Sequence, residues 1–223
     1  MVQPSTLPPL VRGEWLPMTW EEFLTWPIEG KTEWVDGRGI AYVSNSIPHV
    51  LVVGFLEELL RLFVRAFGLG MVFADNALLR IAHRPAGREP DVFVVGREDL
   101  GGVRHRWFEG PVLLAIEIVS DDGVERDLVE KRGEYEQAGV REYLIIDRRG
   151  DHRYLTYLRL DAAGHYQPVE PDGAGRYHSA TLPGFWLDPV WLWQDPLPNP
   201  AALLRRISPE AWRRFVEVVE NDG

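Results

Sequence analysis

The sequence predicts an α/β fold: a mixed β-sheet flanked by helices, with a short helical tail at the C-terminus. Three observations predict it. Pro111 to Asp147 reads as strand, helix and strand in close succession. From about Pro48 to Phe67, apolar residues recur every three or four positions. Much of the remainder is short β-branched and aromatic runs punctuated by Gly, Pro and Asp, as turns between strands are.

Taken in order, residues 1–17 are Pro-rich and unpatterned and read as an N-terminal arm, with Trp15 and Leu16 available to pack. Thr19 and Glu22 form a capping box, with Met18 and Phe23 as the hydrophobic staple, so a short helix is expected from Trp20 to about Trp26. Asp36-Gly37 and Gly39 separate Thr32–Val35 from Ile40–Val43, which predicts a hairpin. Glu33 shares a face with Val35, and composition alone makes it a solvated strand residue. The helix from about Pro48 to Phe67 carries Val53, Leu56, Leu60, Phe63 and Phe67 on its apolar stripe, and Gly68 and Gly70 end it. His49 opens this helix, where a surface histidine is the ordinary reading and a functional group the other.

Met71–Phe73 and Ala77–Ile81 are strand candidates, and Arg80 to Arg88 reads as a turn around Pro85-Ala86-Gly87. Asp91 follows a proline, which sets an extended entry, and opens the apolar run Val92–Val95. By spacing alone it is equally an Asp of a strand-start turn. Gly96 to Gly110 is a polar loop with Arg97, Arg104, His105 and Arg106; solvated connection is the ordinary role of such a loop and substrate contact the other.

Val112–Val119 is nearly unbroken in its apolar character, as strands buried on both faces are. A helix from about Val124 to Ala138 stops at Gly139, and Tyr143–Ile146 is the next apolar run. The two strands should therefore be parallel, joined by a right-handed crossover. Arg153–Leu160, His165–Val169 and Tyr177–Leu182 read as antiparallel edge strands, and Leu182–Trp193 as an aromatic segment closing the core or a subunit interface. The domain is expected over 18–195. The tail, 196–223, has helices at Ala201–Ile207 and Pro209–Glu220, with Ser208 as N-cap.

Glu117 lies between Ile116 and Ile118, inside a core strand. An ionised carboxylate there costs several kcal/mol unless a cation, a donor or a proton meets it. Lys131 falls on the helical stripe of Leu128, Tyr135 and Ala138, which faces the sheet carrying Glu117. A lysine on such a stripe ordinarily snorkels into water. This chain, however, has only two lysines, Lys31 and Lys131, against 22 arginines, which favours a position where a compact ammonium is needed. If the strands of Asp91 and Glu117 are neighbours, the carboxylates converge, and they repel unless a cation sits between them. All-oxygen donors in a chain without Cys favour Mg²⁺ or Mn²⁺ over zinc.

The net charge of −10 argues against a protein that coats nucleic acid, though a bound cation inverts the charge locally. No apolar run approaches the roughly 18 residues of a membrane span, and no signal-peptide pattern opens the chain, so a cytoplasmic protein without a membrane partner is expected.

At these residues the chain resembles the PD-(D/E)XK nuclease superfamily. More closely, TEWVDG, EPDVFVV, LAIEIVS and D-x-x-x-K-x-x-x-Y-x-x-x-G-V-x-E-Y-x-x-x-D resemble the Uma-type restriction endonuclease family over roughly residues 18–193. The resemblance implies a restriction-endonuclease-like fold and Mg²⁺- or Mn²⁺-dependent hydrolysis of phosphodiester bonds in DNA. It implies Asp91 and Glu117 as metal ligands, Glu33 as a supporting carboxylate and Lys131 as the catalytic lysine. The superfamily motif places its lysine two residues after the acid, where this chain has Val119, so the lysine has to come from the helix. Ser120-Asp121-Asp122 stands where the family has Ser-Pro-Ser. A bacterial source and a homodimer are expected. The alternative is a weak or inactive nuclease fold kept for nucleic-acid or protein binding, motivated by the acidic charge and the Trp-rich C-terminal part.

Overall fold

The computed structural model describes residues 13–28, 30–42, 46–74, 77–81, 83–120 and 129–221. The N-terminal half gives β1 (Leu16–Pro17), α1 (Trp20–Leu24), β2 (Thr32–Val35), β3 (Arg38–Ala41) and α2 (Ile47–Phe67). The strands β4 (Gly70–Ala74), β5 (Leu78–Ile81), β6 (Ala86–Arg88), β7 (Val92–Gly96) and β8 (Trp107–Phe108) follow. Then come β9 (Leu114–Ile118), α3 (Lys131–Gln137), β10 (Glu142–Asp147), β11 (Tyr154–Leu160) and β12 (Tyr166–Pro168). The chain ends with β13 (Tyr177–His178), β14 (Trp186–Leu187), α4 (Pro200–Ile207) and α5 (Pro209–Asn221).

Two six-stranded sheets result, ordered β1-β3-β2-β6-β5-β8 and β12-β11-β10-β9-β7-β4. In the second sheet β9 and β10 are parallel, with Ile145 opposite Glu117. Its other neighbours are antiparallel, so the sheet is mixed. Strand alternation divides it into two faces. Val92, Val94, Leu114, Ile116 and Ile118 pack into one core with α2, α4 and the Leu182–Leu192 segment. Phe93, Val95, Ala115 and Val119 point the other way, into a core shared with α3 and the first sheet. Glu117 has the parity of Ala115 and Val119, so it looks at α3.

The sequence-based elements hold in outline, with these differences. The capping box on Thr19 forms, and α2 begins after its N-cap Ser46 and ends at Gly68, whose φ of 60° is left-handed. Of the expected helix before Gly139, the stretch 121–128, with Leu128 and the two acids after Ser120, lies outside the described residues. The expected turn at Pro85-Ala86-Gly87 contains β6, a strand that pairs with both β2 and β5. Turn residues hid it: a Cβ on Gly87 would come within 2.7 Å of the Trp20 ring, so glycine is there for close approach. The Gly96–Gly110 loop contains a 3₁₀ turn at Arg97–Gly102 and the strand β8. Among the described residues, 177–182 contribute no edge to either large sheet, because β13 pairs there with β14. The C-terminal helices lie on α2, burying Leu203, Leu204, Ile207 and Ala211 in the first core. No helix of the described residues is long and apolar enough to cross a membrane.

Candidate functional site

Two registers assemble the site. β7 and β9 pair antiparallel with Val92 opposite Ile116, and one further step puts Asp91 opposite Glu117. β2 and β6 pair with Trp34 opposite Gly87, and one further step puts Glu33 opposite Arg88. The two pairs face each other across the space that α3 fills with Lys131.

Lys131 is fully buried, its Nζ 2.9 Å from Glu117 Oε1 and 3.1 Å from Glu33 Oε1. The snorkelling alternative is thereby excluded. Glu33 is fully buried as well, not solvated as composition suggested. Its Oε2 accepts hydrogen bonds from Arg88 Nη1 at 2.7 Å and from the Tyr42 hydroxyl at 2.8 Å. Arg88, 1 % exposed, also donates to both oxygens of Glu134, one turn along α3 from Lys131. The guanidinium thus fastens the helix to the first sheet in the bidentate geometry only arginine offers.

Each carboxylate of the central pair has one oxygen held by the scaffold. Asp91 Oδ2 accepts the backbone N–H of Ile118 at 2.6 Å. Glu117 Oε1 accepts the Tyr135 hydroxyl at 2.8 Å and meets Lys131. The other two oxygens converge on Lys31, whose Nζ is 2.7 Å from Asp91 Oδ1 and 3.7 Å from Glu117 Oε2. His49, from the first turn of α2, brings Nε2 to 3.3 Å from Asp91 Oδ1. The ring is buried rather than a surface histidine.

Burial pushes the Asp91 carboxyl up, but Lys31, the contact with His49 and Lys131 outweigh it and hold Asp91 well below the usual carboxylate range. Burial works against the Lys31 ammonium, while Asp91 stabilises it strongly enough to leave its pKa above the ordinary value. Burial and then the neighbouring Glu117 push the Tyr135 phenol up, so it stays a donor. Glu89 beside this group is raised to about 7 by burial, against the Thr32 hydrogen bonds that favour its ionised form. All four sequence-derived residues, Glu33, Asp91, Glu117 and Lys131, therefore stand in one buried network. Lys31, His49, Tyr42, Arg88 and Tyr135 join it, and none of them is a site candidate from sequence.

Among the described residues no group of three or more His, Asp or Glu side chains is arranged to hold a metal ion. The donor set still suits Mg²⁺, which is ordinarily held by one or two carboxylates plus substrate phosphate and water. The Lys31 ammonium is a stand-in cation lying between Asp91 Oδ1 and Glu117 Oε2.

Residues 20–190 match the model of the Uma2 family, described as "Putative restriction endonuclease". The structure is similar to that of "a putative nuclease belonging to DUF820" from Anabaena variabilis ATCC 29413, with a TM-score of 0.65 and 18 % identity. That match covers 79 % of this chain and 98 % of the other, and at such identity it is a likeness of fold. No curated protein matches.

Proposed function

We propose that this chain, which belongs to the Uma2 family, is a metal-dependent endonuclease that hydrolyses phosphodiester bonds in DNA. Family and fold together support a nuclease. The observation that carries the finer reading is the convergence of Asp91 Oδ1 and Glu117 Oε2 on one cation, with a second, buried lysine on the far oxygen of Glu117. In this reading Asp91 and Glu117 would be the residues that hold Mg²⁺ or Mn²⁺. The ion, when bound, supplies Lewis-acid polarisation of a phosphoryl oxygen and neutralises part of the charge that develops there.

The chain's own residues do the rest. The Ile118 N–H and the Tyr135 hydroxyl fix the two ligand carboxylates in orientation. Lys131, held between Glu33 and Glu117, offers an ammonium that stabilises the developing negative charge or orients the attacking water. Glu33 is a supporting carboxylate that keeps Lys131 in place, itself anchored by Arg88 and Tyr42.

A cytoplasmic homodimer belongs to the same reading. Ile47, Val50 and Leu51 on α2 and Val218 and Val219 on α5 are exposed apolar groups that would supply a contact, and light scattering tests it. The second reading, a binding module without activity, is favoured by the net charge of −10 and by Lys31 filling the carboxylate pair. Nicking of supercoiled plasmid by purified protein with Mg²⁺ or Mn²⁺ separates the two. Cleavage is expected, abolished by EDTA and by Asp91→Ala. Absence of cleavage on both double- and single-stranded DNA rejects the nuclease reading.

A further inference from the structure

The chain has two lysines, and both touch Glu117, but their situations differ. Lys131 is sealed in, with no exposed surface. The Lys31 side chain is 19 % exposed and approaches from the strand side, just after Gly30 at φ 105°. Its backbone is anchored: the Lys31 carbonyl accepts the Tyr42 N–H at 3.0 Å. The flexible four-carbon stem can therefore withdraw the ammonium without disturbing β2. What it would leave behind is a pair of buried carboxylates, with His49 still beside Asp91 Oδ1 and the far oxygens tied to Ile118, Tyr135 and Lys131. Such a pair repels itself unless another cation takes the place.

We propose that Lys31 is a built-in occupant of the cation position, an autoinhibitory ammonium that a hard divalent ion must displace from Asp91 and Glu117. This rests on the metal-binding reading of that pair. The arrangement serves two ends. It neutralises the carboxylates in the metal-free protein, which keeps the fold intact, and it sets a threshold of metal concentration below which the site stays closed. Arginine would serve less well, because its planar fork would bind the carboxylates bidentately and leave less readily than a compact ammonium.

The test uses the two-lysine composition. In wild-type protein labelled with ¹⁵N at lysine Nζ, two signals are expected, assigned through Lys31→Met. Titration with MgCl₂, against KCl at matched ionic strength, should carry the Lys31 signal saturably to the position of a solvated ammonium. The Lys131 signal should stay in place. In parallel, calorimetric Mn²⁺ titrations should show Lys31→Met binding about ten-fold or more tightly than wild type, as removal of a desolvated competing charge implies. Lys31→Gln repeats the comparison should the methionine variant fail to fold. A Lys31 signal that stays put while Mg²⁺ binds, or equal or weaker Mn²⁺ affinity in the variants, overturns the proposal and leaves the metal site standing. Absence of Mn²⁺ binding in wild type and variants alike removes the metal reading, and this proposal with it.

Discussion

Replacing Lys131 by Met keeps most of the side-chain volume and removes only the ammonium, which in the native protein lies 2.9 Å from Glu117 and 3.1 Å from Glu33 with no exposed surface. Glu33 keeps Arg88 and Tyr42, and Glu117 keeps Tyr135 and the more distant Lys31, but the buried group of carboxylates loses its closest cation to Glu117. Removing one partner of a buried ion pair costs about 3–5 kcal/mol, because the remaining charge stays desolvated. For a chain of this length each kcal/mol is worth roughly 2–4 °C, so the melting temperature of the metal-free protein should fall by about 6–20 °C at pH 7. Adding Glu117→Gln removes the carboxylate that faced the lost ammonium, and the double variant should recover about 0.5–3 kcal/mol relative to additivity. The loss should also shrink on acidification, as a carboxyl left without its ammonium takes up a proton. Thermal and urea melts of the wild type, the two single variants and the double variant measure all three. A loss under about 2 °C at pH 7 with additive single effects would refute the reasoning, since it would mean that Lys131 is solvated and uncoupled from Glu117.

Two further outcomes follow from other parts of the fold. Asp147, at the end of β10, is held at about 2, below its ordinary 3.8, chiefly by the hydrogen bonds from Arg149 and also by His152. A lowered native pKa stabilises above the unfolded value and the gain is lost as pH falls through the native one. Asp147→Asn should therefore melt lower than wild type near neutrality, and the gap should close as pH drops from about 4 towards about 2. Leu204 in α4 is fully buried against α2, so Leu204→Ala should cost about 2–5 kcal/mol in urea unfolding, as befits a helix that is part of the core.

The parts of the site legible in the sequence are those fixed by local periodicity. Glu117 stood out because an acid broke an apolar strand, and Lys131 because it fell on a helical stripe; β9 and α3 place both as that pattern implies. Glu33 and Arg88 were obscure for one shared reason. Their burial depends on β6 joining β2, a pairing between segments far apart in the chain, and the glycine that permits it looks like a turn residue. His49 had a signal that went unused: it stands three and four residues before Val52 and Val53, on the buried side of α2. Lys31 was missed although the scarcity of lysine applied to it equally. It precedes a hairpin strand, where no stripe shows which way a long side chain turns. Tyr135 was read as core and is core, but a fully buried tyrosine hydroxyl requires a partner, and Glu117 provides it.

The most direct test of the account is the anomalous scattering of crystals soaked in MnCl₂. A single Mn²⁺ peak bonded by both Asp91 and Glu117, with the Lys31 ammonium moved away and Lys131 still on Glu117, is the predicted result. Manganese elsewhere, or none at saturating concentration with Lys31 still bridging the two carboxylates, would contradict it.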